Sequence, residues 1–287
     1  MPRKSQLLAV AIALSPVFVG AAENVPAPDK SAYTVFNRTP ESQLRELTPD
    51  RPDVTESPYT VDAGWWQLEM DLASYTRDHD KSGGNDLKVS SLSFANVNLR
   101  IGLTSNIDLQ TVFSSYTRRR VTDNIAGTQA SISGFGDIIS RLKINFWGND
   151  GGDSAFGLMP FVKWPTNRHG LGNNSVEGGL IVPYAHTLPG GWDMGAMTEV
   201  DLVRNDADNG YTTGWVNTIT FGHDIVGKLG GYVELATTLT HGADIATFDV
   251  GLTYGVGKHM QFDVGAAIAI TRAADDLNVF AGLSVRF

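Results

Sequence analysis

Leu277-Asn278-Val279-Phe280-Ala281-Gly282-Leu283-Ser284-Val285-Arg286-Phe287 ends the chain on a period of two. Val279, Ala281, Leu283, Val285 and Phe287 fall on one face of an extended strand, and Asn278, Ser284 and Arg286 on the other. One face suits an apolar medium and the other a polar one. The same alternation runs back through the chain to Trp65. Trp66, Leu68, Met70 and Leu72 alternate with Gln67, Glu69 and Asp71, and Val97, Leu99 and Ile101 with Asn96, Asn98 and Arg100. Ile107, Leu109 and Phe113 alternate with Asp108 and Gln110, and Leu142, Ile144 and Phe146 with Arg141, Lys143 and Asn145. Further segments follow at 155–165, 175–187, 191–203, 211–222, 228–240, 245–256 and 260–271. Leu92 and Phe94 have the opposite parity to Val97 and Leu99, which predicts a bulge near Ala95.

Twelve strands result, each about ten residues or slightly longer, a length that suits a tilted transmembrane β-strand. Their connections alternate. Short turns are expected at 102–106, 148–153, 188–191, 223–227 and 257–259, and longer polar loops at 77–87, 117–132, 166–174, 204–210, 241–244 and 272–276. Short turns on one side and long loops on the other is the plan of an outer-membrane barrel. Trp66, Trp147, Trp192 and Phe287 fall at the short-turn ends, and Tyr75, Tyr116, Trp164 and Trp215 at the long-loop ends. Two such rows make the girdles where amphipathic rings meet the lipid interface. The predicted fold is all-β: a single twelve-stranded antiparallel transmembrane β-barrel over 63–287 with a short N-terminal extension.

The first residues read as an export signal. Arg3 and Lys4 precede an apolar run from Leu7 to Val19, then the small residues Gly20, Ala21 and Ala22, so 1–22 is a signal peptide cleaved after Ala21 or Ala22. The net charge of −9 becomes −11 once those two bases are removed, which argues against a nucleic-acid partner. With no cysteine, the chain has neither a disulfide scaffold nor thiolate chemistry. Residues 23–62 are rich in Pro, Asp and Thr and read as a periplasmic linker or a plug. Within them, Thr39-Pro40-Glu41 offers a cap, a first-turn proline and an early acid, which predicts a short helix over 40–47.

Thr48-Pro49-Asp50-Arg51-Pro52-Asp53, then Glu56-Ser57-Pro58 and Gly64-Trp65-Trp66-Gln67-Leu68-Glu69, resemble the start of a Gram-negative outer-membrane family labelled "putative MetA-pathway of phenol degradation". Matching stretches continue at Gly136-Asp137-Ile138-Ile139-Ser140-Arg141-Leu142-Lys143, Met159-Pro160-Phe161-Val162-Lys163-Trp164-Pro165-Thr166, Gly178-Gly179-Leu180-Ile181-Val182-Pro183 and Thr271-Arg272-Ala273-Ala274-Asp275-Asp276-Leu277-Asn278. The resemblance covers about 40–287. It implies a barrel in the outer membrane that passes small, aromatic (phenol-like) compounds, and it carries no catalytic residue.

Signals for chemistry are weak. His79, His169, His223, His241 and His259 fall in expected loops or turns. His186 lies on an outward strand face, the placement that a lipid-modifying enzyme of the outer wall would use. Such an enzyme needs a serine within reach of the base, and 155–165 and 191–203 offer none facing outward. Asp206-Ala207-Asp208-Asn209-Gly210 lacks the spacing and the closing glutamate of a calcium loop, and Gly134-Phe135-Gly136 lacks the helix of a phosphate loop. No metal, cofactor or catalytic site is expected.

What remains is the inward charge. On the lumen parity lie the acids Glu69, Asp71, Asp108, Glu177, Asp193, Glu199, Asp201, Glu234, Asp249 and Asp263, and the bases Arg100, Arg141, Lys143, Lys163 and Arg286. Twelve strands enclose more than side chains alone fill, so these residues are expected to line a wet lumen, unless they pair and pack it shut. Arg141, Lys143 and Lys163 stand opposite Asp249 and Asp263, a basic wall against an acidic one. The function expected is passive uptake of a small-molecule solute; the alternatives are the lipid enzyme and a non-transporting structural barrel. Expected partners are outer-membrane lipid, that solute, and the barrel-assembly machinery through Phe287.

Overall fold

The computed structural model describes residues 29–167, 170–205, 210–240, 242 and 244–287. The signal peptide, His169, His241 and Asp206-Ala207-Asp208-Asn209 lie outside the described residues.

Thirteen strand segments form one closed antiparallel sheet: β1 (Trp66–Asp80), β2 (Leu87–Gly102), β3 (Ile107–Asp123), β4 (Thr128–Gly134), β5 (Ile138–Trp147), β6 (Ser154–Trp164), β7 (Glu177–Leu188), β8 (Trp192–Asn205), β9 (Gly210–Val226), β10 (Leu229–Leu239), β11 (Asp244–Val256), β12 (Met260–Ala269) and β13 (Leu277–Arg286). β4 and β5 both pair with β3 and occupy one position in the wall, so the barrel has twelve. β1 closes it by pairing with β13, Leu68 opposite Val285 and Tyr75 opposite Val279.

The outward faces are apolar and the inward faces polar. Leu109, Leu252, Val264 and Ile268 stay exposed, whereas Arg100, Asp108, Gln110 and Lys143 are fully buried. In water this would be an inside-out protein; around a lipid-facing wall it is the stable arrangement. Trp66, Trp147, Trp192 and Phe287 are exposed at one rim, and Tyr75, Tyr116, Trp164 and Trp215 higher on the wall.

A step crosses the tall side of the wall. Ala95 has φ +50°, the bulge expected from the parity change. Beside it β1 shifts register against β13 between Asp71 and Ala73, and the break between β4 and β5 prolongs the irregularity.

Several strands outrun their expected ends. The supposed loop 117–132 is mostly strand, and 77–87 is strand at both ends, since β1 reaches Asp80, β2 begins at Leu87 and β3 reaches Asp123. His79 and His223 accordingly lie in strands, leaving His259 in a turn. Beyond the upper aromatic row no hydrocarbon demands an apolar face, so the period-two signal fades although the hydrogen-bonded ladder continues. The helix expected over 40–47 is one turn of 3-10 helix, Glu41–Gln43, followed by extended Leu44. The reason is tertiary: the Arg45 amide donates to Asp62, and the Arg45 guanidinium bonds Asp150 and the Ser105 carbonyl.

Lipid and lumen faces differ enough to test. Leu252→Arg places a charge on the hydrocarbon face and is expected to cost about 2–4 kcal/mol near mid-strand. Ala267→Arg, whose ladder partner is Asp249, is expected to cost clearly less. Folding titrations into lipid vesicles measure both, and equal losses would reverse the assigned faces.

Candidate functional site

The lumen is occupied by the chain's own N-terminal region. Residues 29–48 lie across the short-turn mouth, and 49–62 rise into the barrel before returning to β1. Three prolines, Pro49, Pro52 and Pro58, lack amide protons and hold this inner stretch out of helix and ladder. Its remaining polar groups find partners on the wall.

Asp50 is the central contact. Arg100, at 0% exposure, pairs with Asp50 at 2.8 Å and donates to Glu69 at 2.9 Å through one guanidinium nitrogen. Its other terminal nitrogen reaches Asp108 at 2.7 Å and the Tyr59 carbonyl at 2.8 Å. Lys143 also bonds Asp50. The Ser57 amide and hydroxyl donate to the same carboxylate at 3.1 and 2.6 Å, which folds the segment back on itself.

The next residues read the two walls by charge. Arg51 bonds Asp71 and Asp263, each at 2.7 Å. Glu56 pairs with Arg141. Glu234 accepts from the Val54 and Thr55 amides, each at 2.8 Å, and from the Thr55 hydroxyl. Val61 donates its amide to Asp108, and Asn145 donates to the Pro58 carbonyl. Two glycines permit this approach: a Cβ on Gly282 would lie 1.9 Å from Arg51, and one on Gly102 2.2 Å from the Asp62 carbonyl.

Glu69, Asp71, Arg100, Asp108, Arg141, Lys143, Glu234 and Asp263 thus converge on one segment. Asp249 stands beside Glu234 in the ladder. Lys163 and Glu177 pair with each other, with Asp137 3.8 Å from Lys163, near the long-loop mouth. Glu199 and Asp201 share a face of β8, and among the described residues neither forms an ion pair. Asp193 accepts from the Thr187 hydroxyl near the short-turn rim. Arg286 donates to the Arg45 carbonyl.

The residues that sequence reasoning missed are those of the segment itself: Asp50, Arg51, Thr55 and Glu56. Their alternating charges were the available signal, since acid and base stand at the spacing of the opposed walls.

The floor below is a polar clasp. Asp150 bonds Lys30 and Arg45, and Lys30 also reaches Asp62 at 3.2 Å. Trp65 donates its indole N–H to the Thr39 carbonyl, stacks on His259, and carries the Arg38 guanidinium 3.3 Å above its ring. A cavity of about 520 Å³ remains beside the segment, lined by Pro52, Asp53, Tyr59, Asp193, Thr220 and Tyr232. A second, of about 530 Å³, shares Arg45, Asp224, Gly230, Thr253 and Arg286 with it at the short-turn rim.

On the outer wall, β6 begins one residue earlier than expected, which sets Ser154 directly opposite His186. The Ser154 hydroxyl accepts from Trp147, and the His186 Nδ1 atom has no partner among the described residues. Among the described residues no hydrogen bond joins serine to histidine, and the His186 ring is stacked on Tyr184 rather than held by an acid, so the pair is not arranged as an activated nucleophile. Among the described residues no group of three potential ligands could hold a metal.

A family model described as "Putative MetA-pathway of phenol degradation" matches residues 49–287. No curated protein matches the sequence. Among solved structures, an outer membrane channel from Pseudomonas putida F1 aligns with a TM-score of 0.57 at 14% identity, over 84% of this chain and 100% of its own. That likeness bears on the fold. The toluene transporter TbuX of Ralstonia pickettii aligns at 0.44 and 9% identity, over 77% and 89%. The transport unit of the Escherichia coli autotransporter AIDA-I aligns at 0.49 and 7%, over 84% and 92%.

Asp150 gives the clasp a pH dependence. Burial raises its carboxyl pKa, but hydrogen bonds from Arg45 and Lys30 and their charges outweigh this and hold it below the usual value. A depressed carboxylate stabilises the fold above its unfolded pKa of about 4 and loses that contribution as pH falls through the folded value. Residues 29–48 are therefore expected to gain pepsin sensitivity below about pH 4. Asp150→Asn should make them sensitive at higher pH as well. Cleavage that ignores both pH and the substitution would show that other contacts hold the floor.

Proposed function

The chain belongs to the phenol-degradation family of outer-membrane proteins whose model it matches, and from that premise we propose that it is a passive channel for small solutes, closed here by its own residues 49–62. The solute class is small aromatic compounds. No catalysis is part of this reading.

One observation carries it. The segment filling the lumen is held by ion pairs and hydrogen bonds to the wall rather than by a fused apolar core. Among the described residues, the apolar cluster of buried side chains inside is just Met159, Ile181 and Met197. Water can take over such contacts only once the bore is wet, so on this reading the segment leaves as a unit, and its removal uncovers a polar bore. The cavity beside it falls within the size range of small-ligand pockets. Tyr59 and Tyr232 supply rings to that cavity and Asp53 and Asp193 supply acceptors, a lining that suits an aromatic ring bearing a hydroxyl donor.

Planar-bilayer recording is the direct test. The full chain is expected to open rarely. Gly282→Val, which expels the Arg51 guanidinium from its seat against β13, should raise the open fraction, as should Arg51→Gln combined with Glu56→Gln. Loss of all conductance in these variants and in a chain lacking 23–60 would sink the transport reading. If the channel conducts, uptake of phenol and of a sugar of similar size into vesicles is compared. Equal rates would remove the aromatic class and leave the channel.

A further inference from the structure

β1 to β4 rise well above the upper aromatic row, and their outer face there is basic. Register fixes which residues share that face. Tyr75 pairs with Leu92, which pairs with Arg118; Arg77 pairs with Ser90, which pairs with Arg120; His79 pairs with Lys88. Phe94 and Tyr116, exposed toward lipid, pair directly beneath. Tyr75, Phe94 and Tyr116 therefore form the interfacial aromatic row. Arg118 stands about 7 Å above Tyr116 and Arg120 about 13 Å, at two residues per repeat on a strand. Arg77 and Arg120 are two strands apart, about 10 Å.

Arg77, Lys88, Arg118 and Arg120 are all exposed, and none forms an ion pair or side-chain hydrogen bond among the described residues. Ser90, Ser131 and Ser133 lie beside them in the ladder and are too short to cover the guanidinium groups. Of the carboxylates near the hairpin, Asp80 and Asp123 alternate to the inner face, and Asp86 already accepts from His79 at 2.6 Å and Asn124 at 2.8 Å. Arg119 alternates to the inner face, where it acts on Asp275 together with Asp78. The uncompensated charge is thus confined to the lipid side.

Uncompensated guanidinium groups just above an interfacial aromatic row face the headgroup layer of the outer leaflet. We propose that Arg77, Lys88, Arg118 and Arg120 bind the phosphates of a phosphorylated glycolipid of that leaflet, with its acyl chains against Leu72, Phe94 and Tyr116. Guanidinium forks take phosphate oxygens in bidentate pairs. The continuity of the basic face with the lipid-facing aromatic row selects a lipid over a soluble anion, which would have no use for that row.

Native mass spectrometry of the full-length barrel tests this with bisphosphorylated lipid A, its monophosphoryl form, phosphatidylcholine and inorganic phosphate as probes. The wild-type protein is expected to retain the bisphosphorylated lipid best, the monophosphoryl form less, and phosphatidylcholine least. Arg77→Gln, Arg118→Gln and Arg120→Gln together should weaken retention by about tenfold or more, as expected for lost charge-assisted contacts. Arg119→Gln, on the same strand but the inner face, should leave it unchanged. Three results would each overturn the proposal: equal retention of the lipids by wild type, displacement of the lipid by millimolar inorganic phosphate, or equal losses for Arg119→Gln and the triple variant. The ranking of lipids by the wild-type protein decides the matter even where the triple variant does not fold.

Discussion

A fully buried arginine organises this lumen. Arg100 holds Glu69 and Asp108 of the wall and Asp50 of the inner segment with one guanidinium. The two wall carboxylates and the two wall bases, Arg100 and Lys143, cancel in formal charge, and Asp50 adds a third acid that both bases hold. A buried charge persists only when its partners are complete. Asp50 can be buried here because two wall bases hold it, and the position of 49–62 follows from charge pairing rather than from apolar packing.

The opposed walls complete the match. Arg51 goes to Asp71 and Asp263, while Glu56 goes to Arg141. A segment inserted in the reverse sense would set acid against acid and base against base, at a cost of several kcal/mol for charges in a low-dielectric space. The transverse field across the bore thus fixes which way the segment lies. Charges that sequence reasoning expects to line a wet lumen hold the inner segment in this conformation, while Glu199 and Asp201 form no ion pair among the described residues.

The barrel itself was readable because lipid enforces a strict rule on every second residue. Where that rule acts, from Trp66 to Phe287, strand positions and faces follow from the period of two. Where it stops, the reading weakens: Arg77 to Asp80 and Arg118 to Arg120 fall in expected loops although they are strand, because only the backbone ladder constrains them there. The start of β6 at Ser154 is hidden for a related reason, as the strand edge has no apolar partner to mark it. The lumen contents were the least legible. Asp50, Arg51 and Glu56 sit in a proline-rich stretch with no periodicity, and their partners lie far away in sequence, Asp263 more than two hundred residues on. Nothing local encodes such a contact; only the complementarity of charges between segment and wall does.

The geometry also gives the segment's release a direction. At its C-terminal end, Ala63 bridges Gly102 and Trp65 is held by Thr39 and His259, so the chain enters β1 at a fixed point on the short-turn rim. At its N-terminal end, Lys30 and Arg45 are clasped to Asp150 on the same rim. A loop tethered at both ends to one rim swings out through that rim when its lumen contacts break. Tethers placed this way point any such movement toward the short-turn mouth and away from the long loops. The short-turn clasp and the lumen charges therefore act in series: breaking Arg51 and Glu56 from the walls frees the segment to move, and Asp150 limits how far it travels.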